Sequence, residues 1–117
     1  MAVDPVKQRQ RPLPTRLGRH GTALVADPAN RWRLDLTKQA WAESRDPIAP
    51  DCPCSACREH TRGYIHYLAR IGELTAARLL TLHNLAFVQR VVDRLREGIL
   101  AGTFESVAAA IRGGDAP

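Results

Sequence analysis

"DCPCSACREHTRGYIHYL", residues 51–68, gathers all three cysteines of the chain into six positions and follows them with two histidines. Three is an odd number, and Cys52 and Cys54 stand too close to pair without strain, so a disulfide framework is not expected. A thiol redox centre would set two cysteines two residues apart where a strand passes into a helix. Prolines, not a strand, lead into this cluster. Metal ligation remains. A structural zinc ion takes four soft or borderline donors in a tetrahedron, and Cys52, Cys54 and Cys57 offer three thiolates from one tight knuckle.

The fourth donor has three candidates, His60, His66 and His83, because His20 lies on a basic N-terminal stretch with no evident route back to the knuckle. His60 follows Cys57 so closely that its backbone is still leaving the knuckle. His83 comes 26 residues after Cys57, where ligation would clip the knuckle to a rigid helix and close a long loop, the most stabilising choice. Three thiolates and a neutral imidazole around a dication leave a net charge of about −1, which Arg58 and Arg62 are placed to offset. A catalytic zinc needs an open coordination position and a nearby base. A complete four-ligand set without an adjacent carboxylate predicts a closed, structural site instead.

Downstream, Tyr64, Ile65, Tyr67, Leu68 and Ile71 recur at three- and four-residue steps, predicting an amphipathic helix that Gly72 breaks. From Leu74 to Leu100 a stripe of Leu82, Leu85, Val88, Val92, Leu95 and Ile99 opposes Arg90, Asp93, Arg94, Arg96 and Glu97, which predicts the longest helix. Gly102 is its stop, and Thr103 is positioned to cap a short final helix through Ile111. Upstream, residues 22–25 and 31–36 are β-prone runs around "DPAN", a small hairpin. Residues 37–51 end in a proline-punctuated loop that delivers the chain to the cysteines, with Trp41 packing onto the neighbouring structure. The expected fold class is α+β and mainly helical: a hairpin, a zinc knuckle and a long C-terminal helix. Residues 1–21 form a basic, proline-rich arm, residues 22–107 the zinc-binding subdomain and residues 108–117 a frayed tail.

At 117 residues and 44% apolar content the chain amounts to one small domain. Seventeen Lys and Arg against twelve Asp and Glu give a formal charge of +5, which favours polyanionic partners. Aromatic content of 5% argues against a single-strand binder that stacks bases on many rings. "MAVDPVKQRQRPLPTR" has charges and prolines where a secretory signal needs an apolar block, and no run of eighteen apolar residues exists, so a cytoplasmic protein with no membrane contact is expected.

The spacing C-x-C-x2-C-x25-H from Cys52 to His83, with "YIHYL", "GEL", "ARLLTLHNLAF" and "REGILAGTF", resembles the C-terminal zinc-binding subdomain and last helix of tRNA-guanine transglycosylases. "PTRLGRHG" and the proline spacing of "PIAPDCPC" extend the likeness over residues 14 to about 107, with Ala49 where an acidic residue is usual. The resemblance implies one structural Zn2+ on Cys52, Cys54, Cys57 and His83. It also implies a (β/α)8-barrel enzyme that exchanges guanine at the tRNA wobble position through an aspartate nucleophile. That aspartate would stand four residues before the proline of "PTR", where this chain has Gln10, and an amide cannot carry the attacking charge. The barrel and second active-site aspartate would lie before Met1, so the chain is expected to be inactive alone, as a remnant or one part of a split enzyme. Arg16 and Arg19 correspond to arginines facing the tRNA anticodon loop. Tyr64 and Tyr67 fall in the family's homodimer contact, where His60 replaces a residue that is often aromatic. The expected partners are therefore tRNA and a barrel-encoding fragment or second copy. The alternative is a free-standing structural zinc module that binds RNA or a partner protein.

Overall fold

The computed structural model describes residues 14–115. Its elements are α1 (Pro14–Arg19), β1 (Thr22–Leu24), β2 (Arg33–Asp35), α2 (Ser55–Glu59), α3 (Arg62–Arg70), α4 (Leu74–Ala101) and α5 (Phe104–Arg112), with 3-10 turns at Pro28–Asn30 and Gln39–Trp41. The expected class is found: mainly helical, with one antiparallel hairpin, a cysteine knuckle and a long helix.

β1 and β2 pair in the register Thr22↔Asp35, Ala23↔Leu34 and Leu24↔Arg33. The strands are shorter than the β-prone runs because the connecting loop turns through two left-handed residues, Arg31 at φ 56° and Trp32 at φ 64°. Trp32 N–H donates to the Asp27 carbonyl at 2.9 Å and Val25 N–H to the Trp32 carbonyl at 3.0 Å, which closes that loop.

The loop before the cysteines is docked on the start of α3. Thr61 Oγ1 accepts from Tyr64 N–H at 3.1 Å as an N-cap. Two further unpaired helix-end donors find loop carbonyls: Arg62 N–H reaches Asp46 at 2.8 Å and Gly63 N–H reaches Ser44 at 3.0 Å. Gly63 is required for that approach, since a Cβ there would lie 2.7 Å from the Ser44 carbonyl oxygen and 2.9 Å from that of Ala42. Gly63→Ala should therefore push α3 off the loop and cost about 2 kcal/mol, read as a lower denaturation midpoint of the metal-loaded protein at unchanged m-value.

The core gathers Leu36, Ile48, Ile65 and Leu80, each at most 1% exposed, with Ala23 and Ala56 and the buried knuckle. α4 turns Ala76, Leu79, Leu80 and His83 into it, a set at helical spacing. The apolar stripe anticipated on this helix lies elsewhere: Leu85, Val88, Val92 and Ile99 are 47%, 38%, 49% and 64% exposed. α4 thus carries two apolar sides, and the fold of the described residues uses one. On α3, Ile65 and Leu68 face inward while Tyr64, Tyr67 and Ile71 face out.

Two ends differ from expectation. Pro14–Arg19, within the expected basic arm, form a helix, too short and charged to show periodicity, and close packing on α4 holds it. A Cβ at Gly18 would stand 2.8 Å from Thr81 N, so only glycine admits the approach. At the other end Gly102, left-handed at φ 74°, stops α4 as anticipated, but Thr103 gives no side-chain cap. Its backbone N–H instead donates to the Gly98 carbonyl at 2.7 Å. Helix α5 runs to Arg112, and hydrogen-bonded structure continues beyond residue 107: Asp115 N–H donates to Ala110 and its carboxylate pairs with Arg94 at 2.9 Å.

Candidate metal centre

Cys54 ends the loop and caps α2, its Sγ accepting from Cys57 N–H at 3.4 Å. That turn throws Cys52, Cys54 and Cys57 onto one side, against α4. The donor atoms of Cys52, Cys54, Cys57 and His83 all lie within 4.8 Å of one another. His83 Nδ1 stands 3.5 Å from Cys52 Sγ, 3.6 Å from Cys54 Sγ and 3.2 Å from Cys57 Sγ. Zinc bonds of about 2.3 Å to sulfur and 2.0 Å to nitrogen at tetrahedral angles require N···S separations of about 3.5 Å. The residues fit a tetrahedral cation.

The imidazole is set for this role from its far side. Nε2 donates to the Leu24 carbonyl at 2.7 Å, which leaves Nδ1 as the lone-pair nitrogen, the outer-shell arrangement expected of a ligating histidine. Burial holds His83 below its ordinary value of 6.5, and Arg90 adds to the effect, so the ring is neutral at pH 7. Burial likewise raises Cys54 and drives Cys57 well above the ordinary 9.0. Without a cation these two thiols keep their protons at neutral pH.

A cation must displace the protons of Cys54 and Cys57, so binding at pH 7 should release at least about two protons per ion and tighten as pH rises. Calorimetry in two buffers of different ionisation enthalpy measures this count, and no release would contradict it. The lowered His83 acts in the same direction, because below 6.5 the unfolded chain takes up a proton that the folded imidazole resists, and stability falls. For the metal-free fold, the raised thiols cost stability above 9.0, where unfolded cysteines ionise freely.

The other histidines stand apart from the cluster. His60 stacks on Tyr64 with ring centroids 5.1 Å apart. His66 is buried and its Nδ1 bonds the Leu36 carbonyl at 2.8 Å. His20 is exposed beyond α1. The charge partners also differ from those expected. Arg58 is exposed, whereas Arg62 spends its guanidinium on the carbonyls of Pro47 and Ile48, both at 3.0 Å, and lies 4.8 Å over the Trp41 ring. It secures the loop that carries the cysteines. The cation that acts on His83 is Arg90, two turns along the same face, a signal available from the seven-residue step. Arg16 and Arg19 lie on α1, Arg16 half-buried and Arg19 exposed.

A family model described as queuine tRNA-ribosyltransferase matches residues 10–114, nearly the whole chain. The chain belongs to this family. Among its relatives, the queuine tRNA-ribosyltransferase of Roseiflexus sp. (strain RS-1) is 44% identical over 96 residues, which cover 82% of this chain and 24% of that protein. The protein of that name from Synechococcus sp. (strain CC9311) is 46% identical over 92 residues, 79% of this chain and 24% of the relative. That of Rickettsia bellii (strain RML369-C) is 39% identical over 90 residues, 77% and 24%. The chain thus spans about a quarter of the length of the curated queuine tRNA-ribosyltransferases it matches, and corresponds to the C-terminal region of the family. No helix among the described residues is long and apolar enough to cross a membrane.

Proposed function

We propose that this chain is the zinc-held C-terminal portion of a tRNA-guanine transglycosylase and that it catalyses no base exchange by itself. The observation that carries the reading is the convergence of three thiols and one imidazole at tetrahedral spacing in a chain of this family. Zinc is the metal of choice for such a closed, soft donor set. When bound, it ties the knuckle to α4 and supplies folding free energy rather than a reactive water. Gln10, where the resemblance places the nucleophile, lies outside the described residues, and an amide there supports inactivity of the chain alone.

In this reading Arg16 and Arg19 contribute to a tRNA-facing surface, in keeping with the +5 charge. The outward stripe of Leu85, Val88, Val92 and Ile99 packs against the barrel portion of the enzyme. Tyr64 and Tyr67, 45% and 55% exposed, are available for contact with a second copy. A cytoplasmic site of action follows from tRNA as the substrate.

Native mass spectrometry after purification without chelators should find one zinc per chain. Guanine exchange into tRNA should be absent with the chain alone and should appear when it is mixed with the barrel portion of a relative such as the Roseiflexus protein. A well-folded, metal-free chain overturns the metal reading, and exchange by the chain alone overturns the inactivity. The outward stripe also supports a second reading, a free-standing zinc module that binds RNA or a partner protein; it is favoured if the mixture stays inactive while the chain binds tRNA tightly.

A further inference from the structure

The outer edge of β1 is paired by side chains instead of by a strand. Residues 21, 23 and 25 direct their polar backbone groups toward β2, so those of Thr22 and Leu24 point the other way, a row of donors and acceptors that a third strand would normally satisfy. Two consecutive residues of α4 take this place. His83 Nε2 donates to the Leu24 carbonyl at 2.7 Å, and Asn84 Oδ1 accepts from Leu24 N–H at 2.8 Å, so both polar groups of one residue are held by neighbours in sequence. Asn84 Nδ2 then donates to the Thr22 carbonyl at 3.0 Å and to the Pro14 carbonyl at the start of α1 at 3.1 Å. Asn84 is 0% exposed, and both amide hydrogens and its oxygen are used. With the Asn84 side chain sealed from solvent, leaving any of its polar groups unpaired would be costly.

The same imidazole that presents Nδ1 to the three thiols therefore fixes Leu24 with its other nitrogen, and the next side chain carries the connection to α1. We propose that His83 and Asn84 form a coupling dyad through which metal occupancy positions β1 and α1, with Asn84 as the positioning residue for the helix that bears Arg16 and Arg19. A cation at Nδ1 locks the ring plane and the tautomer, so Nε2–H has a fixed direction and Leu24 a fixed place. Asn84 transmits that place to Pro14, because one planar amide holds Leu24 through its oxygen and Thr22 and Pro14 through its nitrogen. The metal centre then holds more than the knuckle. It also orients the helix that bears Arg16 and Arg19. By linkage, a polyanion that holds α1 in this position tightens metal binding. The inference rests on the proposed metal occupancy.

The test uses the full chain and cobalt(II) as an optical substitute for zinc. As cobalt is titrated in, the thiolate-to-metal absorption should rise, and backbone N–H exchange at Leu24, His20 and Gly21 should slow at least tenfold with the same stoichiometry. Asn84→Ala should keep the cobalt spectrum of the unaltered chain, while exchange at all three positions becomes at least tenfold faster in the loaded protein. Asn84→Asp retains the acceptor for Leu24 and loses both donors, so His20 and Gly21 alone should become faster. Absence of the cobalt band would defeat the metal reading itself. A normal band with exchange at His20 and Gly21 within twofold of the metal-free protein would defeat the coupling alone, and needs no variant to observe.

Discussion

His83→Ala should leave the chain without its metal and without a stable fold around the knuckle. Structural zinc in small domains contributes on the order of 10 kcal/mol, comparable with the whole stability of a domain this size. Three thiols cannot complete the tetrahedron, and the substitution also strips the Leu24 carbonyl of its donor. α2, only five residues long, has no means of surviving as an isolated helix. The expected readings are a metal content near zero by native mass spectrometry and a loss of amide protection from Cys52 through Leu68. His60→Ala, by contrast, should keep a full complement of metal, because its ring only stacks on Tyr64. Metal retained at one ion per chain in His83→Ala would show that another residue supplies the fourth donor.

The second large effect separates the two apolar sides of α4. Leu80 is fully buried, one turn before His83 and within the core that carries Cys52 and Cys57. Truncating it to alanine should cost about 2–5 kcal/mol, the transfer of a buried leucine plus the cavity left behind. Val92→Ala on the outward stripe should change the stability of the isolated chain by no more than about 0.5 kcal/mol, since Val92 is 49% exposed. Its effect belongs to association: charged substitutions at Val88 and Val92 should abolish binding to the barrel portion while leaving the chain folded and metal-loaded. Chemical denaturation of the zinc-loaded proteins measures the first comparison, and co-elution with the barrel portion the second. Equal destabilisation by Leu80→Ala and Val92→Ala would place the stripe within the fold of this chain.

Much of this is legible in the amino-acid sequence. Thiolates and imidazoles are metal donors by their chemistry, and the spacing of Cys52, Cys54 and Cys57 is short enough for local geometry to bring them together. The periodicity of residues 74–100 announces a helix, and Gly72 and Gly102 its two ends, because helical spacing and left-handed turns depend on near neighbours only. Long-range contacts decide the rest. Which apolar side of α4 faces inward depends on what is packed against it, and α1 is helical because Gly18 lets it rest on Thr81. Nearness along the chain makes Arg62 a candidate counter-charge for the knuckle, yet its position above Trp41 commits it to the carbonyls of Pro47 and Ile48. Asn84 carries no signal of its own in a single sequence, since an asparagine within a helix ordinarily faces water. Only the tertiary structure brings the edge of β1 to it, about 60 residues away along the chain, and turns one amide into the junction of three elements. Residue chemistry and local spacing therefore determined the three-thiol cluster and the long helix, while the choice of His83 as its fourth member and the direction each element faces were decided by tertiary packing, because burial is a property of the whole fold and not of any segment.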